Sequence, residues 1–463
     1  MDGFTKEILE RLPLADGVLS LLSWVFEPNF LGGVFDQFRG RSYESEITFP
    51  AMVSLVQDAL LEHQGSAHQA IVQTQERDEL EASMQAVYGK LRRIPIGLSL
   101  GFLARSSDRL REVFPDGAAT TLPASLRAFD VYAVDGKKIK KVAKRLKPAR
   151  QYSGSPLGGK VLAALDLRRG LVVAINAHPD GETNDAPLVA DLLPQVRERS
   201  TRPLLWIADR QFCDLIQPRR FAERNGAFLI RYHPKNSFQR DPNMPVNEGV
   251  DSQGRRYLEE WGHLGKDKKR RLYVRRITLF REDDEDVIVV TNLLDAQQYP
   301  ATDLLDAYLS RWGIERVFQQ VTEVFHLQRL ISSSPEGTVF QFAFCTLLYN
   351  MIQVVRAYIS AAQRMSPEKI STELLFNDVH RELISLSTLA DRETVIDYFQ
   401  PVANATELKT RLESLFANVW ENHWIKSPKK NVPKSSNKKK TIAGGHTSIF
   451  RIIRDAKCQT KDV

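Results

Sequence analysis

The stretch Tyr308-Leu-Ser-Arg311-Trp312-Gly-Ile-Glu315-Arg-Val-Phe318 sets a carboxylate beside a guanidinium and two aromatic rings. At about 100° per residue, Tyr308, Arg311, Trp312, Glu315, Gln319 and Thr322 fall within an arc of roughly 100° on a helix. Ile314, Val317, Phe318, Val321, Val324 and Phe325 repeat on the other side, so the segment reads as one long amphipathic helix packed on a core. Arg311 and Glu315 could be an ordinary i,i+4 surface pair worth about 0.2–0.5 kcal/mol. However, Arg before Glu is the poorer order for such a pair, and the flanking Tyr and Trp favour a bound partner.

Two further acids can join Glu315. Asp135 follows the apolar run Phe129-Asp-Val-Tyr-Ala-Val, and Asp209, 74 residues on, closes Pro203-Leu-Leu-Trp-Ile-Ala; Glu315 lies another 106 residues downstream. In a mixed sheet packed by helices these three can converge at one sheet edge. Gathered carboxylates repel unless a cation sits among them. Mg²⁺ takes a few carboxylates plus waters and phosphate oxygens, and two ions about 3.5–4 Å apart serve in-line attack at phosphorus. Each aspartate also has a plainer reading. Asp135-Gly136 is a common hairpin-turn pair, and Asp209 could cap the helix that follows it.

The elements that would position these acids can be read along the chain. Residues 1–127 carry apolar clusters spaced by three and four, an N-terminal helical region expected to serve DNA binding or assembly. From residue 128 the texture turns to strands: Phe129–Asp135, Val161–Leu167 and Leu171–Asn176, the last two joined by Arg168-Arg169-Gly170. Asn184 and Asp185 look like caps for a helix over Ala186–Arg197. A buried strand ending at Asp209, a helix over Cys213–Arg224 and a strand at Phe228–Tyr232 complete an α/β pattern with a mixed sheet. Residues of about 233–286 are β-rich and polar, and read as an insertion before the strand at Val287 and the Tyr308 helix.

The 463 residues are too many for one ordinary core. Three distant cysteines make no metal-ligand spacing or disulfide framework, which points to a reducing compartment. Val339–Val355 is apolar but broken by Gln341, Asn350 and Gln353, so it reads as a buried helix and no membrane association is expected. With no signal-peptide pattern at the N-terminus, a cytoplasmic protein is the expectation. The net charge of +7 is concentrated: Lys426–Lys440 holds seven lysines and no acid, and residues 426–463 read as a basic, largely disordered tail. Lys137–Arg150 and Lys266–Arg276 are further basic clusters, which together favour a polyanionic partner.

Val134-Asp135-Gly136, Ile207-Ala-Asp209-Arg210 and Tyr308-x2-Arg311-x3-Glu315 resemble the three carboxylate motifs of DDE transposases of bacterial insertion sequences. The subgroup resembled is the insertion-sequence-four family with its Tyr-Arg-Glu-Lys helix, over roughly residues 128–350. The resemblance implies an RNase H-like catalytic domain spanning 128–425, with the β-rich insertion before the glutamate helix. It implies Mg²⁺ or Mn²⁺, two per site, on Asp135, Asp209 and Glu315. It also implies double-stranded DNA as partner, both the element's terminal inverted repeats and the target, with a homodimer acting on paired ends in the bacterial cytoplasm near the nucleoid. Tyr308, Arg311 and Trp312 would contact the cut end. Further DNA contacts are expected from Lys137, Lys138, Arg210, Trp261, Lys268, Lys269, Arg270 and Arg271. One position departs from the family: Thr322 stands where its lysine is expected. Threonine can hydrogen-bond a phosphate without supplying charge, and Lys137, Lys138 or Arg329 could take over. A catalytically silent DNA-binding descendant and a nuclease without strand transfer are the alternatives.

Overall fold

A computed structural model describes residues 3–459 except 62, 64, 65, 121, 141, 143, 145, 283, 325–331, 391, 400, 401 and 427–444. The chain opens with α1 (Gly3–Arg11), α2 (Pro13–Val25), α3 (Pro28–Phe38), α4 (Phe49–Leu61), α5 (Ala67–Glu76), α6 (Met84–Arg92) and α7 (Ile96–Glu112). The α/β part runs β1 (Asp130–Ile139), α8 (Lys147–Arg150), β2 (Gly159–Asp166), β3 (Leu171–His178), α9 (Val189–Arg197), β4 (Leu204–Ala208), α10 (Gln217–Ala222) and β5 (Ala227–Arg231). It continues with β6 (Phe238–Arg240), β7 (Asn247–Val250), β8 (Arg256–Leu264), β9 (Leu272–Leu279), β10 (Val287–Thr291), α11 (Ala301–Ser310), α12 (Trp312–Glu323) and α13 (Pro335–Ala362). The chain closes with α14 (Thr372–Leu389), α15 (Arg392–Tyr398), α16 (Ala405–Phe416) and α17 (Ile449–Gln459).

One mixed sheet organises the molecule, in the order β3-β2-β1-β4-β5-β10-β9-β8-β6, with β7 on β8. β1, β4 and β5 are parallel neighbours, whereas β2 runs antiparallel to them and β3, antiparallel to β2, returns to their direction. Parallel strands need both faces covered, and the sequence supplies that: β2 and β4 are buried at every position. On one face α9 and α10 cover Tyr132 and Trp206, with Phe221 of α10 stacked on Trp206. Leu304 and Leu305 of α11 cover Leu205, Ile207 and Leu229 on the other.

The β-rich segment 233–286 does not close on itself. β9 pairs with both β8 and β10, so its strands continue the central sheet from the edge that β10 offers. Val287–Thr291 therefore has a partner on each side, β5 and β9, and is buried at four of five positions.

α13 is long and apolar enough to cross a membrane, yet it is buried along its length. It packs on α2, α7, α14 and α16 and on β3. Its Asn350 shows why the polar interruptions in that helix exist. The amide accepts from Val172 N at 2.9 Å and donates to Val172 O at 2.8 Å, satisfying backbone groups of β3 that have no further strand to pair with. The N-terminal helices join the same core, since Phe26, Phe49 and Phe102 meet Phe340 and Phe344 of α13.

The end of the chain departs from the expectation of a disordered tail over 426–463. Residues 445–459 dock on the sheet domain: Leu157 bridges Ser448, Ser448 Oγ accepts from Gly181 N, and Arg451 pairs with Asp180 and Glu182 at 2.7 and 2.8 Å. The lysine run itself, 427–444, lies outside the described residues, as does Arg329. Composition misled here because the docked piece, Ile449-Phe-Arg-Ile-Ile-Arg, is amphipathic and free of the lysine run that dominates the tail.

Candidate active site

The carboxylates are placed by strand register. Val134 of β1 is the partner of Ala208 of β4, so Asp135 and Asp209 are the next residues along two adjacent parallel strands. Such strands lie about 4.8 Å apart. Asp135 is not in a hairpin turn, because β1 runs on through Ile139, paired with β2. Its carboxylate accepts the Gly136 N–H at 2.8 Å. Glycine is required next to it, since a Cβ at Gly136 would sit 1.9 Å from Asp185 Oδ1. Asp209 precedes a short 3-10 turn, Arg210–Phe212, and its side chain makes no capping hydrogen bond there, so capping does not account for this acid.

The expected long helix is two helices. Hydrogen bonds Arg311 N to Tyr308 O and Ile314 N to Arg311 O, both 3.0 Å and spanning three residues, tighten the chain at Arg311 and separate α11 from α12. The polar arc is a solvent face only in part, since Gln319 is exposed but the arc's N-terminal end turns inward. Tyr308 is 2% exposed and Arg311 4%, whereas Trp312 is 53% exposed. The cause is that α12 lies against β1 and α13, which presses this arc toward the strand ends.

Arg311 is the hub. Its Nη2 donates to Glu315 Oε1 at 2.9 Å, and Nη1 stands 3.7 Å from Asp135 Oδ2. Burial works against the guanidinium's charge, but Tyr308, Asp135, Asp209 and Glu315 together hold its pKa above the ordinary value. All three expected carboxylates thus act on one cation. Its Nε and Nη1 are buried without a hydrogen-bond acceptor. The Tyr308 ring centroid is 5.8 Å from the Arg311 guanidinium carbon, as is that of Trp312. Burial pushes the Tyr308 phenol up to about 12, so it remains a donor at neutral pH.

Burial also pushes the Asp135 carboxyl up to about 6, opposed by the Gly136 N–H and Arg311 and reinforced by Glu315 and Asp185. Asp185 was missed in the sequence, where it reads as a helix cap. In the structure it makes no capping bond and instead forms a buried ion pair with Lys160 of β2 at 2.5 Å. The signal that could have found it is a lysine at the start of an otherwise apolar run. Lys160 opens a wholly buried strand, and a lysine there needs an acid.

The basic candidates divide into two groups. Lys137 stands beside α12, with its ammonium 5.9 Å from the Phe318 ring; burial and then Lys140 lower its pKa, against Glu323 and Asp135. Lys138 is exposed. Thr322 donates its hydroxyl to Phe318 O of its own helix at 2.7 Å, so it has no proton to offer a phosphate in this state. Arg210 is exposed, 3.5 Å from Glu285. Lys268, Lys269 and Arg270 are exposed on the β8–β9 turn, and Arg271 is partly covered.

Trp261 is not at the surface where the DNA contact expected of it would need it to be. It is 4% exposed and its indole N–H donates to Leu294 O at 2.9 Å. The buried Arg275 lies 5.6 Å from its ring and is held by Glu259. Alternation along β8 sends Trp261 inward toward the same face as Glu259.

Among the described residues no group of three Asp, Glu, His or Cys side chains stands ready as a metal cage. The donor set nevertheless suits a hard divalent cation. It is oxygen-only, and its most buried member, Asp135, has a guanidinium as the neighbouring positive charge.

Residues 127–351 match the family model for the transposase DDE domain. No curated protein matches the chain. Among solved structures, the cryo-EM structure of a piggyBac transposase synaptic complex with hairpin DNA aligns with 94% of this chain and 80% of its own, at 12% identity and a TM-score of 0.38.

Proposed function

We propose, from the premise that residues 127–351 are a transposase DDE domain, that this chain is a DNA transposase of the insertion-sequence-four type. It would cut phosphodiester bonds at the element's ends and join the freed 3′-hydroxyl to target DNA. The observation that carries the reading is the grouping of Asp135, Asp209 and Glu315 around Arg311 inside the matched span. The order β3-β2-β1-β4-β5, in which only β2 runs against the other four strands, supports an RNase H-like core. The strands β6–β9 between that core and the glutamate helix support an inserted β-rich segment.

Asp135, Asp209 and Glu315 would hold Mg²⁺ or Mn²⁺. When bound, such ions lower the pKa of an attacking water and stabilise charge on the phosphoryl oxygens. Arg311 would exchange its carboxylates for a phosphate oxygen at the cut end, where its charged donors are stronger than neutral ones. Tyr308 would donate beside it, and exposed Trp312 would stack on an unpaired base, worth about 1–3 kcal/mol. Lys137, next to Phe318 of α12, would supply the charge that Thr322 lacks. The turn Lys268–Arg271 with Lys138 and Arg210 would contact the duplex backbone, which fixes register without reading sequence. A homodimer on paired ends in the bacterial cytoplasm, with helices of residues 1–127 serving DNA binding or assembly, completes the reading.

A second reading is a silent DNA-binding descendant, favoured by two observations: Arg311 already neutralises the carboxylates, and the Thr322 hydroxyl is spent on its own helix. Incubating the protein and Mg²⁺ with labelled element ends and a target plasmid separates the readings. Joined products support the transposase, cut but unjoined ends support a nuclease, and binding alone supports the silent descendant.

A further inference from the structure

A second charged cavity lies on another side of α12. It has a volume of about 570 Å³ and is lined by Gly313, Arg316 and Gln320 of α12, by the β2–β3 turn, by α13 and by Lys426. The size falls in the range of small-molecule sites, about 300–1,000 Å³.

Its cations differ in what they already do. Arg169 pairs with Asp166 at 3.0 Å, and Arg168 donates to the carbonyls of Arg127 and Phe129, so both are committed to the fold. Arg316, Arg356 and Lys426 differ in having only neutral partners or none among the described residues. Among the described residues none of the three has a carboxylate within 4.0 Å. Arg356 donates only to the neutral Thr372 hydroxyl at 3.1 Å, and its Nε is buried with no acceptor. Lys426 Nζ donates to the Glu368 carbonyl at 2.7 Å.

The three feel each other. Burial, then Arg356 and Arg316, push the Lys426 ammonium down to about 8, and burial lowers the pKa of Arg356, with Arg316 adding to it. Glu368, which also lines the cavity, opposes part of this charge but stands beyond ion-pair distance of the three cations, so the cluster can still take an anion. Two guanidinium forks and an ammonium together offer more charged donors than one carboxylate can accept, whereas a phosphate group has three terminal oxygens to take them. Phe114, Leu165 and Leu167 add an apolar wall, and Asp303 and Asp306 of α11 also line the cavity and can accept hydroxyl or amino protons.

We propose that this cavity binds a nucleoside phosphate, with its phosphates on Arg316, Arg356 and Lys426 and its planar body on the apolar wall. A cavity of this size excludes a duplex, so the site is separate from the DNA surface. A bound ligand would touch the helix that carries Glu315. The proposal stands whether or not the chain is a transposase, because its readout is binding.

The test is isothermal titration of the full chain with ATP, at fixed ionic strength and without metal, beside adenosine and inorganic phosphate. The expected result is that ATP binds at least tenfold more tightly than either fragment. Arg316→Gln and Lys426→Gln, whose side chains reach the cavity from the surface, each weaken ATP at least tenfold while the melting temperature stays at the wild-type value. Arg11→Gln removes the same charge at a distant exposed pair with Glu7 and leaves binding unchanged. No ATP binding at millimolar concentration, undiminished binding by both cavity variants, or full displacement of ATP by a short duplex would overturn the proposal.

Discussion

Replacing Asp135 with Asn should make the metal-free protein more stable while removing its activity. The Asp135 side chain is 16% exposed, and burial raises its pKa from an ordinary 3.8 to about 6. A carboxylate whose folded pKa is raised costs stability as it ionises. The cost begins above about pH 4, grows through pH 6 and is then complete, at about 3 kcal/mol. At pH 4.5 only about 1 kcal/mol of it is present. Asn keeps an acceptor for the Gly136 N–H and leaves Arg311 its bond to Glu315. Unfolding entropy of about 2.1 cal/mol/K per residue over 463 residues turns 3 kcal/mol into a rise in Tm of about 3 °C. Calorimetry of wild type and Asp135→Asn at pH 8 and pH 4.5 without divalent cations reads this directly. The gain should be present at pH 8 and mostly gone at pH 4.5. A variant that melts lower at pH 8, or a gain independent of pH, would refute the reasoning, because Asp135 would then be a stabilising partner of Arg311 and not a desolvated group awaiting another cation.

Three other outcomes are expected. Lys160→Met leaves Asp185 buried without its partner and should cost about 3–5 kcal/mol, seen as a lower midpoint in urea, with Lys160→Met/Asp185→Leu recovering much of it. Trp261→Ala should cost about 3–5 kcal/mol by opening a cavity against Arg275, while duplex affinity per folded molecule, from gel shift at a temperature where the variant is native, stays unchanged. Replacing the lysines between 429 and 440 with Gln should flatten the plot of log affinity against log salt by about 0.9 for each phosphate that the run neutralises; an unchanged slope would leave that run without a part in DNA binding.

Much of the scaffold was legible because it rests on local signals. The strands around Asp135 and Asp209 announce themselves by apolar runs, and α12 by the spacing of Ile314, Val317, Phe318 and Val321. What was not legible depends on pairing across long sequence separations. Only the register of β1 on β2 shows that Asp135 sits within a strand. The interior role of Arg311 needs β1 to lie under α12. Asp185 gains its meaning from Lys160, 25 residues away (185 − 160). The inward face of β8 was obscured because the segment mixes charges with aromatics, and Glu259, Arg275 and Trp261 form one buried group that reads as surface by composition. The docked α17 was hidden by the lysines before it.

Asp135, Asp209 and Glu315 are proposed to form one metal-dependent site for cutting DNA. The measurement that reaches it most directly is single-turnover nicking of a plasmid carrying the element's ends, in Mg²⁺, by wild type and by Asp209→Asn and Glu315→Gln, with end binding measured on the same samples. Cleavage should fall at least a thousandfold in each variant, corresponding to about 4 kcal/mol less transition-state stabilisation, while end binding stays within a few-fold. Near-normal nicking by either variant would contradict the account.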